Sequence, residues 1–269
     1  MWIIGLIIAG LIVGALGRLF HPGRDPMGLL LTIGIGIAAV IIAGLVIGHH
    51  GFWTFLIAVV IGVVLVALVG RVLAIPGNHD IPHSFPGRFT RSFHAFEGQW
   101  ETTEPTYSSP ALHVIGLNSV RPWRHQSGGI RSTQLTRAEE RLLHGASGAF
   151  RIVVLHHHLI GAPWRSRKKP VARRNHVLAS LVGAGADLIL AGHIHQAAVS
   201  ERHEFEVIGD EAQTAVVAIA PGLGQPRPRR LGEARGVHVH EADEEAIVTR
   251  TYRWSGGDWK LGAERRFLR

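Results

Sequence analysis

The chain has 269 residues, a formal net charge of +8 and no cysteine. That length fits one or two domains. Without cysteine, disulfides and thiolate metal sites are excluded, so any metal has to sit on His, Asn, Asp or Glu, a donor set that suits Zn, Mn, Fe or Ni.

Residues 1–73 carry only Arg18, Arg24, Asp25 and Arg71 as formal charges. They hold three apolar runs, Trp2–Phe20, Met27–Ile47 and Phe52–Val69. Each is long enough to cross a hydrocarbon layer of roughly 30 Å as a helix, so the expectation is three transmembrane helices. A cleaved signal peptide is the rival for the first run, but a basic n-region is missing and two further runs follow. Gly10 with Gly14, Gly34 with Ala38 and Ala39 with Ala43 place small residues at helical spacing, which lets helices approach closely and predicts a packed three-helix unit with homo-oligomer contacts through these faces. Arg18 and Arg24 flank the first loop, Gly48-His49-His50-Gly51 has no Lys or Arg, and Arg71 follows the third run. The positive-inside rule then predicts a multi-pass protein of the inner (cytoplasmic) membrane, in contact with lipid and with its C-terminal part in the cytoplasm.

From residue 74 the pattern changes to short strands and helices, giving two expected domains, 1–73 and 74–269. The segment Val72–Ile75 reads as a strand leading into Gly77-Asn78-His79-Asp80. Ala111–Leu117 is strand-like and ends at Asn118, and Thr133–His144 reads as a helix capped by Thr133 or Thr136. Phe150–Leu155 is a buried strand running into His156-His157-His158, and Asn175–Val182 is a short helix. Asp187–Leu190 is a strand that delivers Gly192-His193-Ile194-His195. Glu204–Ile208, Thr214–Ile219, Val237–His240 and Ala246–Trp254 alternate like strands. Loops at strand ends commonly carry chemistry, and three histidine-bearing strings stand there. His49, His50, His83 and His94 read as structural or surface histidines.

Two basic stretches remain, Arg165–Arg174 and Arg227–Arg230. The first reads as a solvated loop, with contact to phosphate or lipid headgroups as its alternative. Nucleic-acid binding ranks lowest, since no aromatic stacking pattern accompanies the basic residues.

Two resemblances arise from these residues. Residues 1–73, through Ile7–Gly14, the loop Phe20–Asp25 and Gly28–Gly36, resemble the transglycosylase-associated family of small bacterial stress-response membrane proteins. Residues 74–269 resemble the calcineurin-like metallophosphoesterases in the order Gly-Asn-His-Asp, His after a core strand, then Gly-His-x-His. The second resemblance implies Asn78, His156 (His157 as alternative) and His193 on one metal, His195 on its neighbour, and His79 contacting phosphate or protonating the leaving oxygen. Pro221–Arg230 also resembles that family's Gly- and Arg-rich stretch.

That family also has Asp-x-His and Gly-Asp-x-x-Asp motifs ahead of Gly-Asn-His-Asp. Asp25 is the sole acidic residue of residues 1–76, and neither motif occurs there. The combined expectation is three transmembrane α-helices followed by a partial α/β metallophosphoesterase sandwich that lacks its first strands. Its site would hold one divalent ion rather than two and hydrolyse phosphodiesters or phosphomonoesters with impaired efficiency. The alternative is a non-enzymatic stress-response integral membrane protein with a degenerate phosphoesterase tail. The abrupt junction reads as a fusion of one gene with part of another, and an assembly error would give the same junction.

Overall fold

The computed structural model describes residues 2–20, 29–47, 52–69, 72–124, 126–161, 168–201, 215–224 and 235–269. The chain divides into two compact units, Met1–Leu73 and Ala74–Arg269.

The first unit contains α1 (Trp2–Phe20), α2 (Leu29–Ile47) and α3 (Phe52–Val69). Proline is absent from all three, so each keeps an unbroken hydrogen-bond ladder. They pack through small residues. Ala39, Ala43 and Ala58 are fully or almost fully buried beside Val13 and Val59. Gly36 lies so close to the Gly10 carbonyl, and Gly14 to the Thr32 carbonyl, that a Cβ at either would overlap backbone. The expected transmembrane arrangement is corrected here: among the described residues, no helix is long and apolar enough to cross a membrane. The multi-pass inner-membrane location falls with it. The physical reason for the misreading is that continuous apolarity also suits helices that bury against each other, and here Gly10, Gly14, Ala39 and Ala43 are used inside the unit.

The second unit begins with two short helices, α4 (Gly87–Thr90) and α5 (His94–Trp100). β1 (Thr106–Ser108), β2 (Leu112–Leu117), α6 (Ser132–Leu143), β3 (Phe150–Leu155), α7 (Arg174–Gly183), β4 (Leu188–Ala191), β5 (Ala198–Glu201) and β6 (Val216–Ile219) follow. The six strands form one sheet in the order β1-β2-β3-β4-β6-β5. Its four central strands run parallel and the two edges antiparallel. The central strands read as near-continuous Val, Ile, Leu and Ala because parallel strands are covered on both faces. On one face α6 and α7 contribute Leu135, Ala138, Leu142, Leu178 and Leu181 to the main core with Ile115, Val153, Ile189 and Val217. On the other face Phe150, Leu188 and Val216 meet Ile247 and Phe267. The latter two belong to a second sheet of β7 (Gly236–Ala242), β8 (Ala246–Ser255) and β9 (Asp258–Leu268), antiparallel in the order β7-β8-β9.

Residues 72–76, expected to start with a strand, have no regular structure. β1 takes the outer edge of β2 instead, while Ile75 packs where Gly116 of β2 leaves room for it. The cap of α6 also differs from the expected threonines. Arg131 is the N-cap, and the Gln134 side chain reaches back to its amide at 3.3 Å. The expected strand Glu204–Ile208 lies outside the described residues.

Candidate metal centre

Parallel strands deliver their C-terminal ends to one edge of a sheet, and this sheet brings three sequence strings together there. β3 ends at Leu155 and is followed by His156, His157 and His158. β4, its neighbour, ends at Ala191 and is followed by Gly192 and His193. The turn at Gly77–Asp80 is closed by Asp80, whose carboxylate accepts the Gly77 amide at 2.7 Å and whose amide donates back to the Gly77 carbonyl at 3.1 Å. Gly77 lies close against His156: a Cβ there would stand 3.0 Å from the ring and press it aside by a few tenths of an ångström.

His156 Nε2 lies 3.0 Å from Asn78 Oδ1 and 3.0 Å from His193 Nδ1. His193 Nε2–H donates to the Gln126 carbonyl at 3.1 Å, which leaves Nδ1 with its lone pair toward His156. With its own proton on Nε2, His156 donates to these two acceptors. With the proton on Nδ1, three lone pairs face one region. His157 joins the same group: ring nitrogens of His156, His157 and His193 lie within 4.8 Å of one another. Its Nδ1 sits 2.9 Å from the Ser119 hydroxyl, which also accepts the His157 amide at 3.1 Å. His157 Nε2 and His158 Nδ1 are buried with no hydrogen-bond partner in the structure. Orphaned buried nitrogens call for an explanation, and an ion is one.

The electrostatics favour neutral rings. Burial is the main cause in each case. It pushes His156 down to about 4, helped by Lys168, His195, His79 and His158. His157 is pushed to about 3, His158 to about 4 and His193 to about 2. Neutral imidazole is the form that binds metal. The group contains no carboxylate. Asn and His donors without thiolate or carboxylate suit a borderline divalent ion better than Ca or Mg, so the residues present fit one.

His193 and His195 both adopt left-handed backbone conformations, with φ of 72° and 59°. Such conformations are uncommon outside glycine and cluster at functional sites. His195 packs against Gly222, where a Cβ would stand 3.2 Å from the ring, and falls outside the three-histidine group. His79 is exposed at the rim, its ring 6.0 Å from that of His83. Both still influence His156 electrostatically. Asn78, His156 and His193 are therefore together, with His195 and His79 around them. Ser119, Gln126 and Lys168 complete the surroundings without having been legible as site residues. Lys168 sat in a run read as a solvated loop, yet its ammonium donates to the His193 carbonyl.

Residues 48–197 match the calcineurin-like phosphoesterase family (Metallophos). The chain belongs to that family. The matched span contains all five residues, Asn78, His79, His156, His193 and His195, which the family resemblance singles out. The chain is also 36% identical over 75 residues to the UPF0410 protein YmgE of Escherichia coli O127:H6 (strain E2348/69 / EPEC), a stretch covering 28% of this chain and 89% of that protein. Among solved structures, a dimetal phosphatase from Danio rerio is 14% identical, with 80% of this chain and 76% of that one covered and a TM-score of 0.49. Wild-type Vps29 of Entamoeba histolytica complexed with Zn2+ is 11% identical, with 61% and 59% covered and a TM-score of 0.29.

Proposed function

We propose that the C-terminal unit is a metal-dependent phosphoesterase site acting on phosphodiesters or phosphomonoesters. Asn78, His156 and His193 hold a single divalent ion, of Mn, Zn, Fe or Ni type, with His157 the alternative ligand from the same strand end. A bound divalent ion polarises a phosphate ester and makes water a stronger nucleophile at neutral pH. Gln126 fixes the tautomer of His193, and Ser119 fixes the ring of His157. His79 stands exposed at the rim, where it can hand a proton to the leaving oxygen. His195 faces the same edge.

The observation that carries this reading is the 3.0 Å approach of His156 Nε2 to both Asn78 Oδ1 and His193 Nδ1. The donor set points to a single ion. The three-histidine group includes no carboxylate, and Asp25, the sole acidic residue of residues 1–76, lies outside the described residues. Without an anionic bridge two ions are not clamped together, so turnover is slow for this family. A second reading, a degenerate domain that binds an ion without hydrolysis, rests on the same missing carboxylate.

The test is hydrolysis of bis(p-nitrophenyl) phosphate by the purified full chain with Mn, Zn, Ni or Mg added in turn, His193→Ala serving as control. Metal-dependent turnover that disappears in His193→Ala is the expected result. Metal binding that requires His193, with no turnover under any ion, would select the degenerate reading instead.

A further inference from the structure

Among the described residues the three-histidine group includes no carboxylate, and a single divalent ion there faces the charge of a phosphate ester alone. The ester brings one or two negative charges, and phosphoryl transfer needs those charges held throughout. The chain carries a second cation at this place. We propose that Lys168 is the phosphate-binding residue of the site, supplying the positive charge that a second metal ion would otherwise provide. This rests on the phosphoesterase reading above.

Two observations place Lys168. Its ammonium donates to the main-chain carbonyl of His193, the residue whose Nδ1 faces His156. Its neighbourhood is fixed by backbone: Lys169 forms a β-bridge with Ser127, the Val171 amide donates to the His158 carbonyl at 3.0 Å, and the Ala172 amide donates to the Gly128 carbonyl at 3.0 Å. The 126–129 segment thus pins both His193, through the Gln126 carbonyl, and the backbone at Lys169 and Ala172.

The same placement disfavours a second divalent ion, because an ammonium already occupies positive potential beside the ligands. It favours an anion. A lysine ammonium is a compact point charge with three donors, able to keep a carbonyl and take a phosphate oxygen at the same time. A purely solvated lysine would not be pinned one residue from a β-bridge with its head group on the main chain of a ligand-bearing turn.

The test uses the full chain, with Mn2+ and inorganic phosphate as probes in isothermal titration calorimetry. Wild type, Lys168→Met and Lys168→Arg are titrated with Mn2+, and each is then titrated with phosphate both with and without Mn2+. The expected result is an unchanged or tighter single Mn2+ site in Lys168→Met, with phosphate affinity reduced by about tenfold to a hundredfold, the range for losing a charge-assisted hydrogen bond. Lys168→Arg, which keeps the charge, retains most of the phosphate affinity. Phosphate binding that is unchanged in Lys168→Met overturns the assignment. A wild-type chain that takes no Mn2+ would sink the metal reading instead, and the metal-free phosphate titrations would still decide Lys168. A merely structural role would lower the melting temperature of Lys168→Met and Lys168→Arg together without separating them in phosphate affinity.

Discussion

The Ser119 hydroxyl lies 2.9 Å from His157 Nδ1 and also accepts the His157 amide at 3.1 Å, joining the loop after β2 to the end of β3. Ser119 is fully buried and His157 almost so. Removing the hydroxyl leaves a buried amide and a buried ring nitrogen without their partner. Ser119→Ala should therefore cost about 1–3 kcal/mol, the penalty for unsatisfied buried polar groups. Urea unfolding of the full chain reads this directly. A midpoint equal to wild type would mean that water or a shifted ring replaces the hydroxyl.

Gly128 also lies against the His157 ring. A Cβ there would stand 2.6 Å from His157 Cγ, closer than a side chain can tolerate. At Gly129 the nearest atom would be Arg121 Cγ at 3.6 Å, an ordinary contact. Gly128→Ala should displace His157 and weaken Mn2+ or Zn2+ binding by about tenfold or more, as disturbing the support of a ligand group does. Gly129→Ala should leave it unchanged. Equal metal affinities in the two variants would show that the position of His157 is irrelevant to the ion.

The buried histidines predict a pH dependence. His156, His157, His158 and His193 have their pKa values pushed from 6.5 to between about 4 and about 2, mainly by burial. The unfolded chain thus binds protons that the folded chain refuses, and stability rises with pH wherever that difference exists. Their full contribution is present above 6.5, and it is lost as pH falls through that value toward about 4. After treatment with a chelator, the melting temperature should drop steadily across this interval. Metal affinity of the folded chain should instead hold across this interval and fall only as pH approaches about 4, where His156 begins to take the proton that competes with the ion. His156→Gln should flatten the slope. A chelated chain whose melting temperature is flat across the interval would contradict neutral burial of these rings.

Much of this was legible where residue pattern and environment agree. β3 was found residue for residue, because Phe150 and Ile152–Leu155 are apolar, with Arg151 the one exception, and the strand is covered on both faces. The histidine strings were found because they follow such runs directly. β9 was missed for the opposite reason: all but Phe267 of its residues are exposed, so neither burial nor alternation marks it. The strand expected at Val72–Ile75 failed because sequence shows that a segment can extend but not whether a sheet edge is available, and β1 already occupies that edge of β2. The three transmembrane helices failed on a related ambiguity, since hydropathy alone does not say what an apolar face packs against. Lys168, Gln126 and Ser119 reach the site through main-chain pairing and loop closure, which leave no spacing signal in the sequence.

The helix packing of the first unit can be tested with two glycines one half-turn apart on α2. A Cβ at Gly36 would overlap the carbonyl of Gly10 on α1, whereas a Cβ at Gly34 meets nothing within 4 Å. Alanine is the better helix former by about 1 kcal/mol at either position. At Gly34 that gain is unopposed, so Gly34→Ala should leave the unit unchanged or slightly more stable. At Gly36 the helices must separate to admit the methyl group, and overpacking of this kind costs about 1–3 kcal/mol. The loss reaches Val13, Ala39 and Ala43, whose burial depends on the close approach. Thermal melts of the helical circular dichroism signal should therefore separate the two variants in opposite directions. Equal melts would mean that α1 and α2 do not meet at Gly10 and Gly36, and the packing of the unit would have to be redrawn.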